Sequence, residues 1–195
     1  YLEDARRILL EAEEADEAAA GVNALPRGHL AVTAPVLFGK IYVMPVIADY
    51  QMTYGQTTVS ALFIDRVVNL VEEGIDVGIR IGLLPDSSLR AIRLGEVRRV
   101  VCASPAYLKK HGSPGSPADL AQHPIISATS LTAGSEWTFA KGKERIGVRL
   151  SPRILVNTND GALAAAKSGF GLTRLLSYQV AGELAAGTLT AVLTE

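Results

Sequence analysis

The most constraining feature of the sequence is an alternation of strand and helix signals that runs from His29 to Ile81 and resumes between Gly171 and Leu193. His29 to Thr33 alternates apolar and polar residues as a half-buried strand does. Ala34-Pro35 then opens a helical stretch to about Tyr54, with the proline in the first turn, where a missing N–H costs nothing. Thr57 to Ser60 reads as a second strand. Ile64 to Glu73 predicts an amphipathic helix with Val67, Val68 and Val71 inward, Gly74 stops it, and Ile75 to Ile81 predicts a third strand. Strands separated by helices must run parallel with right-handed crossovers, so the fold class is α/β.

Leu89 to Leu94 and Arg98 to Ala103 read as further strands joined at Gly95-Glu96, and Ser104-Pro105 caps and opens a short helix. Gly112 to Pro117 is a loop, and Ile125 to Ser127 a strand. Trp137 to Phe139 and Gly147 to Val156, with Gly142 in a turn between them, predict an antiparallel insertion. Asn157 to Asp160 supplies capping side chains for a helix at Ala162 to Lys167, which Gly169 ends. A strand at Gly171 to Leu175, a helix at Tyr178 to Ala186 and a strand at Leu189 to Leu193 follow. A chain of 195 residues has room for two small lobes. The expected division is a first lobe of 28–97 with 188–195 and a second of 98–187.

Ahead of them, Tyr1 to Ala20 lacks Gly and Pro and carries Leu2, Ala5, Leu9, Ala12 and Ala19 on one helical stripe. It reads as a linker or dimerisation helix that begins without a cap, as though continuing from a segment upstream. A surface helix packed on its own domain satisfies the same stripe. Gly21 to Gly28 is the linker that follows.

Composition excludes several functions. With 19 Lys+Arg against 20 Asp+Glu, the formal charge is −1 and no basic cluster forms, so this segment alone is a poor duplex binder. Cys102 is the one cysteine, so no internal disulfide is needed and a cytoplasmic setting is expected. No apolar run approaches the roughly 18 residues of a membrane span. His29, His111 and His123 are too scattered for a metal set, no phosphate-cradling loop follows a strand, and no Gly-x-Ser-x-Gly elbow occurs. Neither a cofactor nor an enzymatic reaction is expected.

What remains are the strand-to-helix junctions. Free backbone N–H groups at helix starts, with hydroxyls beside them, attract carboxylates. Thr33 to Pro35, Asn157 to Asp160 and Ser104 are such mouths, Ser127, Thr129 and Ser130 follow a second-lobe strand, and each is also explained as a helix cap alone. Arg80, at the end of the third strand, has the geometry to clamp a carboxylate or to pair with Asp76 or Asp86.

The order Gly28 to Pro35, Asp65 to Gly82, Cys102 to Leu108, then Leu120-Ala-Gln-His-Pro124, Asn159 to Leu163, Gly169-Phe-Gly-Leu172 and Leu184 to Leu189 resembles the LysR-type transcriptional regulators over nearly the whole chain. The resemblance implies an effector-binding domain of two Rossmann-like lobes around a central cleft, of the type II periplasmic-binding-protein kind, preceded by the linker helix. It implies a small-molecule effector, often a carboxylate, held by Thr33, Ala34, Pro35, Val36, Arg80, Thr158 and Asn159, with Ser104 and Thr129 as further candidates. It also implies a homodimer or homotetramer that meets promoter DNA through a winged helix-turn-helix absent here, and a first lobe completed beyond Glu195. A transport solute-binding protein would share the architecture. Phe63 and Ile64 stand where members often carry polar or small residues, and Arg174 places a charge on a strand that is usually apolar.

Overall fold

The computed structural model describes residues 25–82, 84, 86–128, 136–142 and 144–194; the expected linker helix and Thr129 lie outside them. Strands β1 (Gly28–Ala34), β2 (Thr57–Phe63) and β3 (Val77–Gly78) form a parallel sheet in the order β2-β1-β3. Helix α1, over 36–53, connects the first two strands. It widens into a π-type stretch at Gly39–Val43 immediately before Pro45, whose ring cannot donate to the preceding turn, and the extra residue absorbs that offset. Val32, Ala34, Val43 and Ile47 form the core between sheet and helix.

The predicted helix at Ile64 to Glu73 is absent. The Asn69 side chain accepts from the N–H groups of Val71 and Glu72 and closes a turn there, so Val68 is buried while Val67 and Val71 face outward. The third strand shrinks to the two residues that reach β1, Val77 and Gly78 opposite Val32 and Thr33. Leu89 to Leu94 forms no strand.

The second lobe is a five-stranded sheet, ordered β10-β4-β9-β5-β8, built from β4 (Arg99–Ala103), β5 (Ile125–Ala128), β8 (Ile154–Val156), β9 (Leu172–Leu176) and β10 (Thr190–Val192). Strands β6 (Glu136–Lys141) and β7 (Glu144–Arg149) form the expected antiparallel hairpin. Helices α3 (Asn159–Lys167) and α4 (Ser177–Ala185) cover one face over Cys102, Ile126 and Leu175, with Val180 of α4 packed among them. The other face packs Val101, Ile125 and Leu172 against Trp137 of the hairpin and Tyr107 of α2 (Pro105–His111). Strand β10 pairs with β4, Thr190 opposite Ala103, so 190–192 belongs to the second sheet and not to the first lobe. The turn after α4 is tight, with Thr188 and Leu189 both donating to the Glu183 carbonyl, and it returns the chain to the nearest open edge.

Tyr107 also ties α2 to the loop before β5. Its hydroxyl lies 2.7 Å from His123 Nδ1 and its ring stacks on His111 at 4.7 Å. Burial and the neighbouring His111 push the His123 pKa below its ordinary value of 6.5, with Asp119 opposing. The unfolded chain therefore binds this proton more readily than the folded one. The stability is present above the ordinary histidine pKa and is lost as pH falls through it toward the lower folded value. Melting curves between about pH 7.5 and about pH 5.5 should show a falling Tm whose slope is shallower in His123→Gln; equal slopes would remove His123 as a cause.

Candidate functional site

The first lobe's contribution comes from the carboxyl ends of its parallel strands, where such folds expose binding surfaces. Thr33 is fully buried and makes two bonds at once: its hydroxyl donates to the Leu62 carbonyl at 2.7 Å and accepts from Arg80 Nη2 at 3.1 Å. Residues 47 apart in sequence are thus joined because β3 lies against β1 with Gly78 opposite Thr33. Arg80 Nη1 also donates to the Ile79 carbonyl, and among the described residues the guanidinium forms no ion pair. Asp76, one of the acids considered as its partner, accepts from the Ala31 N–H instead. Burial lowers the Arg80 pKa, Arg66 lowers it further, and Asp65 and Glu73 oppose. The group is therefore a held, partly desolvated cation at a strand end.

Asp65 was not singled out in the sequence, yet it occupies this corner. Parallel pairing sets Ala34 opposite Phe63, and two residues further on the Asp65 carboxylate accepts from the Val36 N–H at 3.0 Å. The signal was the register: ending β2 at Ser60 left its continuation unread. Pro35 supplies no side-chain cap, so Asp65 caps α1 from outside the helix. Val36 accordingly offers an incoming anion no vacant donor while Asp65 is in place, and Ala34 is buried in the core with its carbonyl bonded to the Ile64 N–H. Asp65→Ala should raise affinity for a carboxylate several-fold by freeing that N–H and removing a like charge, while costing about 1 kcal/mol of stability as a lost cap. Parallel titration and melting measurements read both effects; weaker carboxylate binding would contradict this role.

The second lobe presents the start of α3. The Thr158 hydroxyl accepts from the Gly161 N–H at 3.2 Å, and Asn159 is buried with Oδ1 unpartnered among the described residues. The Thr158 hydroxyl bond and the Gly161 N–H hold the Asp160 carboxyl below its ordinary pKa, and Lys40 of α1 adds to this across the gap between the lobes. Tyr178, at the start of α4, packs edge-on against Phe38 at 5.4 Å and Tyr42 at 6.0 Å. Beside these rings, between the lobes, lies a cavity of about 470 Å³ whose walls include Glu96 and Ser177. The two lobes therefore meet where α1 and α4 begin, and none of Thr33, Arg80, Thr158 and Asn159 is among the residues that line this cavity.

Ser104 does not join them, which corrects the expectation that it opens into the cleft. Strand β4 runs antiparallel to β9, and β9 runs parallel to β5. The carboxyl end of β4 thus lies at the opposite edge of the sheet from those of β5 and β9. Ser104 caps α2 there, accepting from the Tyr107 N–H at 3.2 Å.

Residues 23–195 match the LysR substrate binding domain family. The chain is 33% identical over 189 residues to the HTH-type transcriptional regulator PtxR of Pseudomonas aeruginosa, covering 97% of this chain and 61% of that protein. It is 30% identical over 197 residues to the HTH-type transcriptional regulator CrgA of Neisseria meningitidis, covering 100% of this chain and 65% of that one. The chain thus spans less than two thirds of either relative. The solved structure of CrgA superposes with a TM-score of 0.78 at 29% identity, over 100% of this chain and 66% of CrgA. The CrgA regulatory domain alone gives 0.75 at 29% identity, over 86% of this chain and 82% of the domain.

Proposed function

Because the chain belongs to the LysR substrate-binding domain family, we propose that it senses a small carboxylate-bearing metabolite between its lobes on behalf of a transcription regulator. The observation that carries this reading is the Arg80 guanidinium, held on the Thr33 hydroxyl at a strand end without an ion-pair partner among the described residues. Arg80 supplies the charge and the flat donor array that carboxylates match. Thr33, whose hydroxyl is fully engaged, positions Arg80, while Thr158 and Asn159 line the other wall. Binding that touches both walls favours the closed arrangement of the lobes, and that population shift is the signal.

In the intact regulator the signal passes to a helix-turn-helix that reads promoter DNA, in a dimer or tetramer working in the cytoplasm. The relatives' roles favour this reading over a transport protein of the same architecture, and over an enzyme. Among the described residues no helix is long and apolar enough to cross a membrane. The test is a thermal-shift screen of the chain against metabolites with one or more carboxylates, followed by DNA protection with the full-length regulator. At least one acid should raise Tm and change the protected footprint. No shift from any acid, with DNA protection indifferent to all of them, would sink the reading.

A further inference from the structure

A second charged group is buried in the sheet of the second lobe. Arg174 sits in β9, where every residue is buried, and only 8% of it is exposed. Among the described residues its Nη1 has no hydrogen-bond partner. Its guanidinium carbon stands 4.8 Å from the ring centre of Trp137, itself buried. The charged neighbour that perturbs it is another cation, Arg99; burial first and Arg99 second bring its pKa down to about 10, so it remains charged at neutral pH.

The register explains the pairing of like charges. Val101 lies opposite Arg174 and Arg99 opposite Leu176, so the two arginines are diagonal neighbours on the face that packs against the hairpin. On the other side, Ile126 opposite Thr173 sets Ser127 beside Arg174, and strand alternation turns its hydroxyl to the same face. A buried cation with a spare donor, a second cation next to it and no acid beside it among the described residues is costly unless something negative completes it. Face-on contact with an indole offsets only part of that cost.

We propose that Arg174 is the anchor of a separate anion site in the second lobe, which takes a small oxyanion, carboxylate or phosphate, on Nη1 with Arg99 and Ser127 beside it. The site is walled by Trp137 and lies on the sheet face away from α3 and α4. Because Arg99 begins the strand that enters from the first lobe and the neighbouring Arg98 carbonyl accepts from the Ser177 N–H at 2.7 Å, an anion there braces the crossover between the lobes.

Trp137 is the sole tryptophan of the chain, so its emission reports on this one site. The chain is titrated with inorganic phosphate and, separately, with acetate, at constant ionic strength set by chloride. A saturable change in Trp137 emission below about 50 mM is expected, stronger for phosphate if the natural ligand is a phosphate and for acetate if it is a carboxylate. Arg174→Met should abolish the response, and Arg99→Gln should weaken the apparent affinity by about threefold. Should Arg174→Met fail to fold, Arg174→Lys, which keeps the charge but loses the planar donors, should bind about tenfold more weakly. In the unchanged chain, the Arg174 side-chain N–H resonance should shift along the same titration curve. Emission flat for both anions, a response that survives in Arg174→Met or keeps its affinity in Arg174→Lys, or an unmoved Arg174 resonance would each overturn the site, and none of them bears on Arg80.

Discussion

Gly171→Ala is expected to destabilise the second lobe by about 3 kcal/mol or more, which for a chain of this size lowers Tm by roughly 6–12 °C. Gly171 has ordinary backbone angles, so the requirement is close approach and not a turn. It immediately precedes β9, where the Leu172 N–H donates to the Pro124 carbonyl at 2.9 Å. A Cβ at Gly171 would collide with that carbonyl oxygen and lie 2.9 Å from its carbon and 3.0 Å from Pro124 Cβ. Backbone cannot swing aside as a flexible side chain does. Relief requires β9 to draw away from β5, loosening the pairing of Ile125 with Leu172, both of which lie in the core around Trp137. Gly182→Ala is the matched control: it lies within α4 with open space around it, and alanine there should be neutral or stabilise by up to about 1 kcal/mol. Thermal melts followed by Trp137 emission compare the two. A Gly171→Ala protein that melts with the wild type would show that the two strands are not packed as described.

Arg80→Met should weaken binding of the recognised carboxylate by about thirtyfold, near 2 kcal/mol, while Tm moves by no more than a few degrees. Methionine keeps an unbranched apolar stem and removes the charge and the donors. The fold tolerates the loss because Thr33 still donates to the Leu62 carbonyl and because Arg80 is only half-buried. The affinity suffers because the removed group is the one cation at that corner that lacks an acid partner among the described residues; Arg66 is spent on Glu73 at 3.3 Å. Calorimetry with the acid found by the thermal-shift screen measures the first quantity and a melt the second. Equal affinity in wild type and variant would take the carboxylate away from Arg80.

The starts of β1, β2 and β5 and the capping at Thr158 were legible in the sequence because each follows from local chemistry or alternation, whereas the bond from Arg80 to Thr33 depends on strand register and was not. Ile64 to Glu73 was misread because its valines mimic a helical stripe, whereas the decisive event is a single Asn69 side chain folding back on two N–H groups. Asp65 was missed because its role depends on register between strands, which a single sequence does not display. Ser104 was misplaced for the same kind of reason. As a cap it is what it looked like, but whether a cap faces the cleft depends on the direction of its strand, and β4 runs against β9. The closing strand followed the same logic: the pattern at 190–192 announces a strand, and only the tight turn after α4 decides which sheet it joins.

The most direct measurement is a backbone and arginine side-chain NMR titration of the chain with the stabilising carboxylate. Saturable shifts should fall together on Val36, Asp65 and the Arg80 guanidinium from one lobe and on Thr158 to Gly161 from the other, following a single binding curve. Saturable binding whose shifts stay within one lobe, or fall on the outward strand edge at β2, would contradict a sensor that works by bringing these two sets of strand ends together.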